Sequence, residues 1–314
     1  MRYCEFPSNR GEHVALPELY KINLKTGTSD RASLLDYCLK ESVLGVGWGR
    51  HWAPELISPD AANDFDIYRA GAEKFWSRRA IGPAIALHDA AEGSLVWFRD
   101  LSSVYYLARI VGPWRLLEGV RFEEMDLANV RSVEYFEVPE GSVPGGVIRG
   151  FASPRQLAFN RVRDEGARLY SALLASERWN TNPPEVGITT EGILDLLSPL
   201  DMEDLVAAYL QDTKDYLAFP ARHSRSTAVY EFILSSRRDG TTAAVQVKTG
   251  NATVAEAGLS EKIADRWFVY SASGQAFSSR IETISKAELV DYIESRPAAL
   301  PPVVEAWRQR VSDD

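Results

Sequence analysis

Four residues in the last third of the chain have types suited to phosphoryl chemistry. In "STAVYEFILSS", strand alternation puts Val229, Glu231 and Ile233 on one face and Tyr230 and Phe232 on the other. A single carboxylate among apolar neighbours is unfavourable to bury unless charged or hydrogen-bonding partners meet it. The next strand, "TTAAVQVKTG", supplies them, with Val245 and Val247 pointing one way and Gln246 and Lys248 the other. Glu203, in "LSPLDMEDLVAAYL", sits at the edge of a helical apolar stripe and can face the same spot. Two carboxylates, an amide oxygen and a lysine make a hard-cation site with a positive group beside it. Such a cation binds a phosphodiester and acidifies its attacking water, while the lysine orients that water or balances charge growing on the phosphate. The same residues also fit a plainer arrangement: a cross-strand Glu231–Lys248 ion pair with Glu203 in solvent.

The elements that must position these groups are readable. "SPLDMEDLVAAYLQ" predicts a helix with Ser198 as N-cap, Pro199 at the first helical position and Asp201 in the first turn. Met202, Leu205, Val206 and Tyr209 form its buried stripe. The two strands are joined by "RRDG", where Asp239-Gly240 is a hairpin signal. "RWFVYSA" reads as a further strand and "SKAELVDYIES" as a capped terminal helix. Upstream, "DEGARLYSALLASERW" is helical, and "NTNPPEVG" is a turn-rich stretch that a helix cannot cross. The expected organisation is a first domain over residues 1–162, a helical linker over 163–191 and a second domain over 192–314.

The first half reads as many short strands with a few helices, which favours a small barrel over a parallel sheet. "ELYKINLKTG", "GSLVWFRD", "VYYLARIVGPWRL" and "VRSVEYFEVP" are strands, and "GGVIRGFASPRQLAFNRV" closes the region. "DRASLLDYCLKESV" has helical spacing at Leu34, Leu35, Cys38 and Leu39, with Ser29 or Asp30 as cap. Residues 63–79 are a second helix with Phe65, Tyr68 and Phe75 inward. His13, His51, His88 and His223 are scattered without metal-ligand spacing, and "GVGWGR" lacks the Lys-Ser/Thr of a phosphate loop. Tryptophans stand out instead: Trp48 in a glycine-flanked turn, Trp52 just after it, and Trp97 and Trp114 in or beside strands.

The chain of 314 residues carries a net charge of −9, which disfavours non-specific coating of nucleic acid but allows a local basic cleft. Cys4 and Cys38 are too few for a disulfide framework. With neither a membrane-length apolar run nor a signal-peptide pattern, the expected location is cytoplasmic and the expected thiols reduced.

Helix with Glu203, strand with Glu231, then strand "VQVKTG" resembles the PD-(D/E)XK nuclease superfamily, in particular the Mrr-like restriction endonucleases. The likeness runs from about Ile193 onward and implies a mixed sheet flanked by helices, with Glu203, Glu231, Gln246 and Lys248 catalytic. It further implies Mg2+ or Mn2+ held by Glu203, Glu231 and Gln246. The family usually carries aspartate where this chain has Glu231. "YKINLKTG", "GVGWG" and "YYLARIVGPW" resemble the EVE-like members of the PUA superfamily over roughly Leu19 to Phe151. These are small barrels that hold a flipped modified base in an aromatic pocket. That likeness implies an α/β plus β-barrel protein whose first half reads modified bases. A flipped base needs flat aromatic walls, here Trp48, Trp52, Trp97 and Trp114. Arg50, Arg78, Arg99 and Arg109 are candidates for flanking phosphates. Each tryptophan also fits a barrel core.

Together the two likenesses imply a modification-dependent DNA endonuclease acting in type IV-like restriction and phage defence. Its partner is DNA carrying modified bases, and a homodimer fits double-strand cutting. Two alternatives stay open: a nucleic-acid-binding protein with an inactive nuclease fold, and a nuclease acting on RNA.

Overall fold

In the computed structural model of the protein, residues 16–24, 31–152, 157–184, 187–219 and 230–311 are described. They form two mixed sheets. The first contains β1 (Leu19–Ile22), β2 (Val43–Val46), β3 (Leu95–Arg99), β4 (Tyr105–Leu116), β5 (Asn129–Val138) and β6 (Phe159–Arg161) in the order β2-β5-β4-β3-β1-β6. Only β1 and β3 pair in parallel. No pairing closes β2 onto β6 among the described residues, so the strands run in an open order where a barrel was expected. Its helices are α1 (Arg31–Lys40), α2 (Phe65–Phe75), α3 (Gly82–Asp89), α4 (Val120–Met125) and α5 (Gly145–Ala152). The Ser29/Asp30 cap expected for α1 lies outside the described residues.

Alternation along the first sheet separates two cores. Val96, Phe98, Ala108 and Ile110 face a core shared with α1, α2 and α3. Leu95, Trp97, Tyr105 and Leu107 face α5 and α6 (Glu165–Trp179). Phe75, expected inward, is 50% exposed. The helix stops at Phe75 and Trp76 turns extended (φ −106°, ψ 156°), which breaks the helical period and swings Trp76 onto the core in its place.

The second sheet contains β7 (Tyr216–Phe219), β8 (Phe232–Ser236), β9 (Thr242–Lys248), β10 (Arg266–Ser271) and β11 (Ile281–Ile284) in the order β11-β10-β9-β8-β7. The β8–β9 hairpin is antiparallel, as its turn chemistry predicts, while β9–β10 and β10–β11 are parallel. One face carries Phe232, Leu234, Val245, Val247, Phe268 and Tyr270. These pack under α7 (Thr190–Leu196), α8 (Pro199–Thr213), α9 (Lys286–Ser295) and α10 (Pro302–Arg308), so α9 is not terminal. The other face buries Ala244, Trp267 and Val269 beneath Val254, Leu259 and Ala264 from the connecting loops. Central strand β9 is therefore covered on both sides, and Gln246 is buried with its valine neighbours.

Helix α8 begins as its sequence requires. Ser198 and Asp201 form a reciprocal capping box, and Met202, Leu205, Val206, Tyr209 and Leu210 are all buried. A side-chain cap of this kind contributes about 1 kcal/mol. Helix α6 touches both cores, with Leu169, Tyr170 and Leu173 against the second sheet and Ala167 and Ala175 against the first. No described helix is long and apolar enough to cross a membrane. Cys38 is a buried free thiol whose pKa burial pushes up to about 12.

Candidate functional site

Register places Glu231 opposite Gln246, because Phe232 pairs with Val245 and the strands are antiparallel. Glu231 stands one residue ahead of β8, and its backbone N–H donates to the Val245 carbonyl at 2.7 Å. Its Oε1 accepts from Gln246 Nε2 at 2.8 Å and from Lys248 Nζ at 3.0 Å. The cross-strand ion pair of the plainer arrangement is thus present. Glu203 is not simply in solvent, however. It is half-buried, and its pKa is pushed up to about 7, first by burial and then by the Glu231 carboxylate. Asp204 acts in the same direction, while Arg149 and Lys248 oppose the shift.

Helix α8 and two strands thereby bring Glu203, Glu231, Gln246 and Lys248 together, as their spacing suggested. The available donors are oxygens, and burial first, then the Glu231 carboxylate, raise the pKa of Glu203. Among the described residues no group of three His, Cys, Asp or Glu side chains gathers. A divalent cation would therefore need the Gln246 amide oxygen as its third protein donor. With Nε2 given to Glu231, that oxygen is left as the acceptor. A hard cation such as Mg2+ suits this set; a soft metal that prefers sulfur or imidazole does not.

A second candidate lies in the first half, on the sheet face that carries α1 and α2. A cleft of about 420 Å³ is lined by Trp48, Trp52, Trp76, Asn23 and Asp126, among others. Trp48 is held at φ +64°, a left-handed conformation unusual for a bulky residue. A buried network fixes it there. Asn129 Nδ2 donates to the Gly47 carbonyl at 2.6 Å and to the Tyr68 hydroxyl at 3.0 Å. Tyr68 Oη donates to the Trp48 carbonyl at 3.0 Å, and Trp114 Nε1 donates to Asn129 Oδ1 at 3.1 Å. A Cβ on Gly47 would come within 2.3 Å of the Asp126 carboxylate, so a larger residue there would have to displace that side chain.

Of the four tryptophans singled out by sequence, Trp48 and Trp52 line the cleft, with Trp52 at its rim, 53% exposed. Trp97 does not. It is fully buried on the opposite sheet face, where its indole donates to Ser171 on α6 at 2.9 Å. Trp114 is also core, and it acts on the cleft through Asn129 and through Tyr68, against whose ring it packs. Trp76 is the wall that sequence reasoning missed. The helix stop that exposes Phe75 was its only signal.

The arginines divide as well. Arg50 donates to the Ile57 carbonyl at 2.7 Å, and Glu118 lies 3.9 Å away. Arg99 lies over the Phe151 ring, and Arg109 lies over the Trp179 ring while paired with Glu134 at 2.6 Å. Alternation puts Arg99 and Arg109 on the face covered by α5 and α6, away from the cleft. Arg78 is exposed just after α2.

No family model matches the chain, and no curated protein does. Among solved structures it is similar to the DNA modification-dependent restriction endonuclease AspBHI, at 13% sequence identity, covering 77% of this chain and 74% of that one, with a TM-score of 0.21. A likeness at that TM-score supports no conclusion about this chain.

Proposed function

We propose that the protein is a metal-dependent endonuclease whose second half hydrolyses phosphodiesters and whose first half reads a flipped, modified base in DNA. The observation that carries the hydrolytic half is the convergence of Glu203, Glu231, Gln246 and Lys248 from one helix and two strands. Glu203, Glu231 and Gln246 would hold Mg2+ or Mn2+, which when bound supplies a Lewis acid for the phosphate and a more acidic water. Glu231, itself held by Gln246, anchors Lys248 so that its ammonium would stand beside the scissile phosphate and offset charge as the phosphate becomes more negative. Burial and the Glu231 carboxylate push the pKa of Glu203 up to about 7, so a cation held there would displace a proton from it.

The reader is the tryptophan cleft. Its three indoles offer replacement stacking for a base withdrawn from the duplex, and Asp126 and Asn23 offer polar atoms for the base edge. We place the reader in residues 1–162 and the hydrolytic domain in 192–314. Cytoplasmic action in restriction of foreign DNA, by a dimer where both strands are cut, follows from that pairing of roles.

A second reading is favoured by two hydrogen bonds to one oxygen. Glu231 Oε1 already accepts from both Gln246 and Lys248, a closed arrangement that would suit a nucleic-acid-binding protein with no cleavage. Digestion of modified and unmodified phage DNA separates the two. Under the nuclease reading, wild type cuts modified DNA with Mg2+ and not with chelator. Glu231→Ala loses both cutting and calorimetric Mg2+ binding. Equal Mg2+ affinity for wild type and Glu231→Ala would remove the metal site from the proposal.

A further inference from the structure

Helix α5 belongs to the first half by its packing. Val147 and Phe151 are buried with Leu19, Trp97 and Leu107. Lys21 on β1 donates to the Gly150 carbonyl at 2.7 Å. The other end of α5 is docked on α8, the helix that carries Glu203. The Gly145 N–H donates to both Asp201 carboxylate oxygens, at 2.9 and 3.0 Å. A Cβ on Gly145 would approach Ser198 Oγ to 2.7 Å and Leu200 Cβ to 2.9 Å, so only glycine lets the helices come this close.

Arg149 stands one turn beyond Gly145, on the same side of α5. Glu203 stands two residues beyond Asp201 on α8. The two side chains are near enough for the guanidinium to favour ionised Glu203. Arg149 is exposed and makes no hydrogen bond or ion pair among the described residues. Arg99 and Arg109, by contrast, are laid over aromatic rings. A guanidinium with unused donors beside an acid cluster is placed to take an anion that the cluster itself repels.

We propose that Arg149 forms a phosphate-binding subsite between the two halves, holding a backbone phosphodiester of the nucleic acid next to the Glu203–Glu231–Lys248 cluster. This rests on the nuclease reading and adds to it. Because α5 is fixed to the first sheet by Lys21 and to α8 by Gly145, strand capture by the reading half and phosphate placement in the hydrolytic half share one rigid element.

The test uses Arg149→Gln and Arg149→Lys in the full chain, with Arg109→Gln as a control whose guanidinium is already paired. Binding to a duplex carrying a modified base is measured in chelator at several salt concentrations. Cleavage is measured separately in Mg2+. Arg149→Gln should lower the slope of log affinity against log salt by about 0.9, the value for one phosphate contact. Arg149→Lys should keep most of that slope, Arg109→Gln should leave it unchanged, and the melting temperatures should match. If wild type cuts and Arg149→Gln matches it in both slope and rate, the subsite is overturned and the nuclease reading stands. If wild type does not cut but the slope still drops, the nuclease reading falls and the phosphate contact stands. Failure of wild type to bind nucleic acid overturns both.

Discussion

The acid cluster and the tryptophan cleft are assembled by opposite means. The cluster is built from ladder neighbours. Glu231 and Gln246 face each other across a hairpin, Lys248 follows on the same strand face, and one helix adds Glu203. The cleft is built from separated segments, with Asn23, Trp48, Trp76 and Asp126 drawn together by turns and helix ends. The cluster is polar and strained by like charge; the cleft is mostly apolar and depends on a satisfied buried network. A strand face can carry chemistry on regular backbone. A pocket wall made of indoles needs irregular backbone, here Trp48 in the left-handed region.

The largest effect expected from breaking this contrast is at Lys248. Lys248→Met keeps the apolar stem and removes the ammonium. Glu231 retains its bond from Gln246, and both members of the ion pair are partly exposed, so the stability loss should be about 1 kcal/mol or less. Cleavage should fall by roughly two to three orders of magnitude while duplex binding survives. Single-turnover cleavage and thermal melting of one sample decide it. A variant that melts several degrees lower yet still cuts would make "QVK" an element of folding only.

A smaller effect is expected in the cleft. Trp76→Ala removes one wall, so affinity for modified duplex should weaken by roughly 1–3 kcal/mol more than affinity for unmodified duplex. The residue is half-buried, so thermal melting must accompany the titration. Equal weakening for both duplexes would make Trp76 part of general DNA contact or of the core, and the cleft would lose its reading role.

The same contrast explains what the sequence made legible. Period-two alternation and capping chemistry are local, so β9, the β8–β9 hairpin, the α8 cap and the four cluster residues could be named from short stretches. The choice among tryptophans was not local. The glycine-flanked turn marked Trp48, but nothing local marked Trp97 as core; it points to α6 because the sheet has apolar cover on both faces. Trp76 escaped because an extended residue after α2 interrupts the helical period. Short β7 and β11 lack enough alternation to stand out, and "GGVIRG" became helix α5 because its partners, Lys21 and Asp201, are distant in the chain.

The smallest expected effect sharpens the comparison through pH. Each half carries a charge-bearing group whose pKa is shifted first by burial, and the two groups have opposite charge. Burial lowers the pKa of Lys21 on β1 from 10.5 to about 8, helped by nearby Arg99. Burial and Glu231 raise that of Glu203 from 4.5 to about 7. A depressed folded pKa makes a contribution that is fully present above the unfolded value and lost as pH falls through the folded one. Lys21 therefore supports folding more as pH climbs from about 8 toward 10.5. A raised folded pKa makes a contribution present below the unfolded value and lost as pH rises, so Glu203 supports folding less between 4.5 and about 7. Each should amount to about 1 kcal/mol once solvent screening is allowed for. In chelator, Glu203→Gln should gain stability over wild type as pH rises from 5 toward 7 and then hold a constant difference. Lys21→Met should show its pH-dependent difference only above about pH 8. Denaturant midpoints measured across that range check both. Matching pH profiles for the two variants would mean that the charges of the two halves are felt as one electrostatic unit, and the division between a charged site and an apolar one would fail.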